Sequence, residues 1–497
     1  MNPPAFLGMI VVPLAATPLI YLAGRLAGRA RATVVAQGVA VAALLSAWIP
    51  FVASVGTASA QPTWTVGTVS LKFDGLSLLL AAVALGLGTL VALYSGSYLR
   101  RETGQEKFFA MLVAMVGVMI GLGCAADLFN LWIWFEAMAV CSYLLVAFHR
   151  ENPASLEAGV KYLVQSAAGS VLVLVGIALV FAQTGALDLA TIREQATASP
   201  MSLAAGALFV AGFGVKAALV PLHTWLPDAH SQAPSGISAM LSGVVIEAGL
   251  VAMLRSIGAL SGVTPMWGAL LLTLGAVNML AGNLMALRQT QVKRLLAFSS
   301  LAQVGYMLLG LGVAALVGSE LGAQGGLFHL VTHGMMKGLA FLAAGALLFT
   351  LHLQHGEHAP LTIADLSGAA RRYPLAALAL SIGVLGLGGI PPLAGFMSKW
   401  QIFVAGFTAG QVVVILLVVF AALNSVLSLA YYAPLVNAVY RRQTSAVVDG
   451  GGPMPATMGI PLVLLVIAII AIGVWPSLMD WLTVPAGQTV AAMFGGG

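Results

Sequence analysis

Eight ionisable side chains lie inside stretches that are otherwise almost wholly apolar: Glu136, Lys161, Lys216, Glu247, His329, His333, Lys337 and Lys399. Of the 497 residues, 60% are hydrophobic and only 7% charged, against roughly 25% charged in soluble domains. An ionisable group at mid-membrane costs about 2.5–3.5 kcal/mol on insertion scales, so it normally faces a bundle interior or a water-filled cavity. Burial disfavours the charged form of such groups. A row of Lys, His and Glu joined by water can therefore hold and pass protons near neutral pH. The chemistry these residues suggest is a proton wire rather than a bond-breaking active site.

Their spacing adds detail. Glu136 sits in NLWIWFEAM (residues 130–138), which is too apolar for a solvated carboxylate; pairing with Lys216 is expected. Lys216 follows Gly212 and Gly214 and precedes Pro221, and Lys399 follows GGIPPLAGFMS. Both settings read as interrupted helices, tolerated at membrane depth only where they line a cavity or are covered by protein. Glu157 and Lys161 are spaced i, i+4, as are His333 and Lys337, so each pair shares a helix face. His329 puts a third ionisable group on the second stripe. Lys161 lies near a helix end, where a lysine also snorkels to the interface.

The elements that must carry these groups are transmembrane helices of about 20 apolar residues each. About fourteen such runs occur, near 5–23, 33–53, 74–98, 109–125, 128–148, 157–183, 203–223, 236–256, 264–287, 294–316, 322–351, 375–405, 412–440 and 456–477. The fold class is thus all-α integral membrane. The first run has no basic stretch before it and no clear cleavage site after it, so it reads as a retained helix. With Met1 outside, fourteen Lys and Arg fall inside and only Lys72, Arg193 and Arg255 outside. That bias orients the chain with both termini outside. The interrupted spans seven and twelve are five apart and so run in opposite directions, as in an inverted repeat of spans four to eight against nine to thirteen. The expected organisation is helices one to three over 1–107, a first repeat over 108–257, a second over 258–442, and a tether with helix fourteen over 443–497.

Other chemistries are not supported. Cys124 and Cys141 form no CxxC pair and cannot ligate a cluster alone. No Walker A motif, dinucleotide fingerprint or hydrolase triad spacing appears. The net charge of +5 comes without a basic run, so no nucleic-acid partner is implied. His352, His355 and His358 lack the spacing of a closed metal site and read as a polar loop, so no metal is expected.

The stretch from Lys216 to Gly243, KAALVPLHTWLPDAHSQAPSGISAMLSG, resembles the antiporter-like membrane subunits shared by complex I, the multi-subunit Mrp cation/proton antiporters and membrane-bound hydrogenases. VKRLLAFSS (292–300) with Gly305 and Tyr306, FHLVTH (328–333) with Lys337, DLSG (365–368), GIPPLAGF (389–396) with Lys399, and FDGLS (73–77) extend the resemblance over nearly the whole chain. It implies fourteen helices with two inverted five-helix repeats, and protons moving along a central hydrophilic axis. By position, Glu136 becomes the fifth-helix glutamate, Lys216 the seventh-helix lysine, His329, His333 and Lys337 the eleventh-helix groups, and Lys399 the twelfth-helix group.

One position departs from the pattern. Where the family usually carries an eighth-helix lysine, this chain has Glu247. The sign of the central site is reversed, and Glu247 is placed to pair with Lys216 or Lys337, or to bind a cation. The resemblance implies a proton-translocating subunit of a complex-I-type oxidoreductase in a bacterial-type cytoplasmic membrane. The alternatives are an Mrp-type Na+/H+ antiporter subunit or a hydrogenase subunit. Expected partners are other hydrophobic subunits of a multi-subunit complex, the lipid bilayer, protons and, in the alternative, Na+. No cofactor is expected in this chain, with redox cofactors confined to partner subunits.

Overall fold

The computed structural model describes residues 4–28, 31–67, 69–356 and 359–495. In a bilayer every backbone N–H and C=O must be satisfied internally, so the apolar runs form helices. In chain order these are α1 (Leu7–Leu26), α2 (Ala32–Ser54), α3 (Gly75–Tyr98), α4 (Gln105–Cys124), α5 (Leu128–Val146), α6 (Pro153–Thr184), α7 (Pro200–Lys216), α8 (Ser235–Ala259), α9 (Trp267–Ala286), α10 (Val292–Val317) and α11 (Glu320–Leu351). There follow α12 in two halves (Pro374–Gly388 and Ala394–Thr408), α13 (Val412–Val439), α14 (Ala456–Val474) and α15 (Asp480–Phe494). Twelve of the described helices are long and apolar enough to span a membrane. With the interrupted α7 and α12, they account for the fourteen spans read from the sequence.

The middle of the bundle is built from α3, α4, α8, α10 and α11, whose side chains are mostly buried on all sides. Helices α1, α2, α6, α13 and α14 leave apolar faces outward, including Val160, Val164 and Val171 on α6 and Leu416, Leu423 and Val426 on α13. An all-round apolar helix in the centre and a one-sided one at the rim are the pattern expected when lipid replaces water outside.

Both interruptions have internal partners for the backbone they expose. After α7 the chain turns through Ala218 (φ +53°) and a cis Val220–Pro221 bond before a short helix, Trp225–Gln232. Asn278 on α9 bonds the exposed backbone twice, accepting from Val220 N at 2.9 Å and donating to Ala218 O at 3.2 Å. Trp225 Nε1 donates to Val215 O at 2.7 Å. In α12 the freed carbonyls of Leu387 and Gly388 are taken by Lys399 Nζ at 2.7 Å and Ser425 Oγ at 3.0 Å.

Two features were not expected. The connection between α2 and α3 carries a small antiparallel hairpin, β1 (Thr63–Val66) with β2 (Val69–Lys72). Beyond α14, where no further helix was foreseen, α15 packs against α3, α8 and α11. A methyl group on Gly75 would fall 2.2 Å from the Pro485 carbonyl, one on Gly487 would fall 2.4 Å from Gln324 Cγ, and one on Gly258 would fall 3.1 Å from Met493 Cβ. At fifteen residues, with Asp480, Pro485 and Gln488 inside it, α15 is too short and too polar to look like a span.

A buried ion pair ties the ends of α3 and α8 together. Asp74 caps α3 by accepting from Ser77 N at 2.9 Å, and Arg255 binds both of its oxygens, at 2.8 and 3.0 Å. Burial pushes the Asp74 carboxyl up, but the Arg255 charge and the hydrogen bonds outweigh it and hold the group below the usual carboxylate range.

Candidate functional site: a buried line of ionisable groups

Helix α11 carries His329, His333 and Lys337 at successive turns, all fully buried. Opposite them stands α8, which contains a wide π turn at Leu241–Val245 immediately before Glu247. Such turns re-aim the following side chains and recur at functional sites. The two backbones touch at glycines: a methyl group on Gly243 would lie 2.9 Å from Gly334 O, and one on Gly334 would lie 2.7 Å from Gly243 O. This approach lets Glu247 Oε1 meet His333 Nδ1 at 3.0 Å with neither side chain exposed. The outer atoms of the pair, Glu247 Oε2 and His333 Nε2, have no protein partner.

The expected pairing of Glu247 with Lys216 or Lys337 is therefore corrected: its partner is His333. Lys337 instead donates to Leu296 O at 2.7 Å and to Ser299 Oγ, both on α10. Among the described residues, the carbonyl and hydroxyl of one α10 turn lie nearer to Lys337 Nζ than any carboxylate does.

From His333 the line continues one turn along α11 to His329. Its Nε2 faces Gln303 Oε1 at 3.0 Å and its Nδ1 faces Ser398 Oγ at 2.9 Å. Gln303 Nε2 donates to Leu387 O at 3.1 Å, so the amide oxygen is the group turned to the imidazole. With that amide orientation, His329 carries its hydrogen on Nε2 and accepts from Ser398 at Nδ1. The same Leu387 carbonyl accepts from Lys399 Nζ at 2.7 Å, and Ser425 Oγ lies 2.9 Å from that nitrogen. Lys399 also sits 4.3 Å above the Tyr306 ring. The interruption in α12 thus supplies the carbonyl through which Gln303 and Lys399 meet.

Lys216, at the end of α7, has a pocket of its own. Its Nζ lies 3.0 Å from Ser166 Oγ, 3.5 Å from Ser142 Oγ and 3.9 Å above the Tyr162 ring, which stacks on Trp225. It packs against α8 two residues beyond Glu247, since a methyl group on Gly249 would fall 2.8 Å from Lys216 Cβ. The expected contact pair with Glu136 is not formed: among the described residues Lys216 binds hydroxyls and an aromatic face. Glu136 acts on it only through space, and is half-buried with Oε1 unpartnered.

Lys161 lies outside this line. It is half-exposed on α6, 2.8 Å from Glu157 and 3.1 Å from Asp228. Arg294 reaches the other Asp228 oxygen at 2.7 Å. Burial raises the Asp228 carboxyl, and the hydrogen bonds and charges of Arg294 and Lys161 more than reverse this, holding it below the usual range. The cluster is an interface network rather than an interior one.

Several participants were missed in the sequence. Gln303, Ser299 and Ser398 are neutral, so a search for charges passes over them; their signal was polarity in mid-span. Lys293, one of the fourteen Lys and Arg read as falling inside, is buried and donates to Ala233 O at 2.5 Å. His230 is fully buried against Phe341, with both ring nitrogens unpartnered, within electrostatic reach of Lys293 and Lys337. Among the described residues no His, Cys, Asp or Glu cluster could hold a metal; Glu357 and His358 of the histidine-rich loop lie outside the described residues.

Interrupted α7 and α12 and a charged stripe on α11, all inside one helix bundle, define the class: an antiporter-like membrane subunit. The chain belongs to the family described as NADH:quinone oxidoreductase/Mrp antiporter, TM, whose model matches residues 125–425. Residues 65–109 match NADH-Ubiquinone oxidoreductase (complex I), chain 5 N-terminus. Among relatives, the chain is similar to F(420)H(2) dehydrogenase subunit N of Methanosarcina mazei, 34% identical over 83% of each chain. It is also similar to NADH-quinone oxidoreductase subunit N of Desulfitobacterium hafniense, 32% identical over 84% of this chain and 85% of that one. In three dimensions it resembles a chain of the archaeal membrane-bound sulfane sulfur reductase, with a TM-score of 0.87, 28% identity and 99% of each chain covered.

Proposed function

We propose that this chain is the proton-translocating, antiporter-like subunit of a complex-I-type membrane oxidoreductase, working with other membrane subunits and with redox cofactors held by its partners. The relatives, subunits N of an F(420)H(2) dehydrogenase and of an NADH-quinone oxidoreductase, support the assembly. The carrying observation is the buried Glu247–His333 pair in line with Lys337, His329 and Lys399.

The chemistry follows from the two open ends of that pair. A proton arriving at His333 Nε2 lets Nδ1–H pass to Glu247 Oε1, which leaves a neutral imidazole with its hydrogen on Nε2; the protonated carboxyl then turns and releases that proton on the side Oε2 had faced. Each transfer moves a proton between adjacent heteroatoms without moving the backbone. The pair holding that extra proton has no net charge, the state a low-dielectric interior tolerates best. The opposite sign from a lysine at this position makes the centre a proton acceptor in its empty state. Lys216 with Glu136 serves the first half and His329 with Lys399 the second, consistent with the proposed division into two repeats.

The test is proton uptake by vesicles holding the native assembly with Glu247→Gln, with redox activity measured separately. Loss of proton uptake with electron transfer or assembly retained supports the proposal; full uptake overturns it. The unpartnered Glu247 Oε2 favours one second reading, an antiporter in which the carboxylate alternately takes H+ and Na+. Sodium-dependent proton movement without any redox substrate would replace the first reading by the second.

A further inference from the structure

The end of the bundle where α1 and α5 finish and α4 and α6 begin holds a cavity that the proton line does not use. Its volume is about 620 Å³, and it opens at the bundle's rim. Its deep walls are apolar: Pro18, Tyr21, Phe108, Met111, Leu145 and Phe148. Its shallow end is shared, through Thr103, Gly104, Lys107 and Arg150, with a second, polar cavity of about 570 Å³ that adds Arg25 and Arg100. The four cations are all exposed, and none of Arg100, Lys107 and Arg150 forms an ion pair among the described residues. Two carboxylates share the polar part. Glu102 lies 3.4 Å from His149, and Glu106 is buried against Gly24.

The division between charge and grease runs along the helices. On α1, Arg25, Tyr21 and Thr17 follow one another at i, i−4 and i−8 on one face; on α4, Lys107 and Met111 do the same. At 1.5 Å per residue, the slot extends about 12 Å from the basic end towards the membrane interior. Four cations at the interface above an apolar slot between helices match one kind of molecule, with a phosphate at one end and a hydrocarbon chain at the other. Basic pockets between transmembrane helices hold anionic headgroups in this way. A protein helix offers no such lengthwise split unless acidic residues cap it at that level.

The geometry points to a specific site for one anionic phospholipid, its phosphate against Lys107 and Arg150 with Arg25 and Arg100 behind, and one acyl chain in the slot beside Met111 and Phe148. Arg25, Arg100, Lys107 and Arg150 are among the fourteen Lys and Arg whose placement oriented the chain, so the lipid belongs to the leaflet on the side read as inner. An anionic lipid there neutralises a cluster whose members otherwise repel across the α1–α4 junction.

The experiment is native mass spectrometry of the full chain in its purified native assembly, delipidated and titrated with dioleoylphosphatidylglycerol or dioleoylphosphatidylcholine. One phosphatidylglycerol per chain is expected to persist, with phosphatidylcholine lost. Lys107→Gln with Arg150→Gln is expected to weaken it roughly 30-fold, about one kcal/mol for each cation removed. Arg441→Gln with Arg442→Gln, an exposed basic pair elsewhere, is expected to leave binding unchanged. Met111→Trp fills the slot and is expected to expel the lipid with every cation in place. The proposal is overturned by equal retention of the two lipids, or by unchanged affinity in the Lys107/Arg150 variant. It is equally overturned if glycerol 3-phosphate, which has no acyl chain, competes as well as the lipid, or if Met111→Cys cross-links to a neighbouring subunit's helix seated in the slot.

Discussion

Glu247 on α8 and His333 on α11 stand 3.0 Å apart with no solvent access to either, across a contact where glycines bring the two backbones together. Each of them keeps one polar atom without a protein partner. An acid and a base so placed form a single unit with two ends. Glu247→Gln keeps the shape and removes the exchangeable carboxyl proton. Proton uptake by the reconstituted assembly is expected to fall at least about tenfold. Glu247→Lys places a cation against His333 and is expected to be no better; wild-type uptake in Glu247→Lys would show that the sign of the centre does not matter.

Gln303 joins His329 to the carbonyl that also binds Lys399. Gln303→Leu removes both bonds at nearly constant volume. Proton uptake is expected to drop while the assembly stays intact on native gels. A variant with unaltered uptake would take Gln303 and the α12 break out of the pathway.

Lys161 and Lys216 separate two meanings of a lysine in an apolar helix. Lys161→Ala breaks an exposed network and is expected to leave uptake near wild type. Lys216→Ala removes the buried amine beside Ser166 and Tyr162 and is expected to abolish it. Equal losses in the two variants would return Lys161 to the line.

The Asp74–Arg255 pair sets a pH dependence of stability. Its carboxyl titrates lower in the folded chain than in the unfolded one. Its stabilisation is therefore complete above the ordinary carboxylate pKa of about 3.9 and is lost as pH falls through the lower folded value. Asp74→Asn leaves Arg255 buried without its counter-ion and is expected to cost about 3–5 kcal/mol at neutral pH. Thermal unfolding in detergent should show the difference between wild type and Asp74→Asn constant from pH 7 to about pH 5 and shrinking only in stronger acid. A gap that already closes at pH 6 would contradict the pairing.

Asn278 supplies both bonds to the backbone beyond α7. Asn278→Ala leaves Val220 N–H and Ala218 C=O without that side chain, at about 1–3 kcal/mol for each buried group left unsatisfied. A lower Tm together with reduced uptake is expected, because Lys216 sits at that break. An unchanged Tm would mean that another group, such as water, takes over both bonds.

Much of this architecture was legible because lipid removes options: an apolar run of spanning length has to be a helix, and glycine with proline at depth has to be an interruption. The eight ionisable positions were readable for the same reason, since a charge among leucines stands out. Their partners were not. Whether Glu247 meets Lys216, Lys337 or His333 depends on the glycine contact at Gly243 and Gly334 and on the π turn before Glu247, and neither leaves a periodic trace. Lys161, near a helix end, faces out beside Glu157 and Asp228, whereas Lys216 is fully buried, and residue type alone did not separate the two. Gln303 and Ser398 stayed hidden because they carry no charge, and α15 because it is too short and too polar to span.

The stripe on α11 also has an electrical consequence. From Lys337 to His329 is eight residues on a continuous spanning helix, or about 12 Å along its axis. Set against a hydrocarbon core of about 30 Å, that is about two-fifths of the membrane's thickness. On the proposed pathway, a proton moved along this stripe works against, or is driven by, about two-fifths of the transmembrane voltage, or about 0.9 kcal/mol for every 100 mV. Steps between neighbouring helices at one depth would be blind to the voltage, whereas each turn climbed on α11 would make the proposed conduit a voltmeter as well.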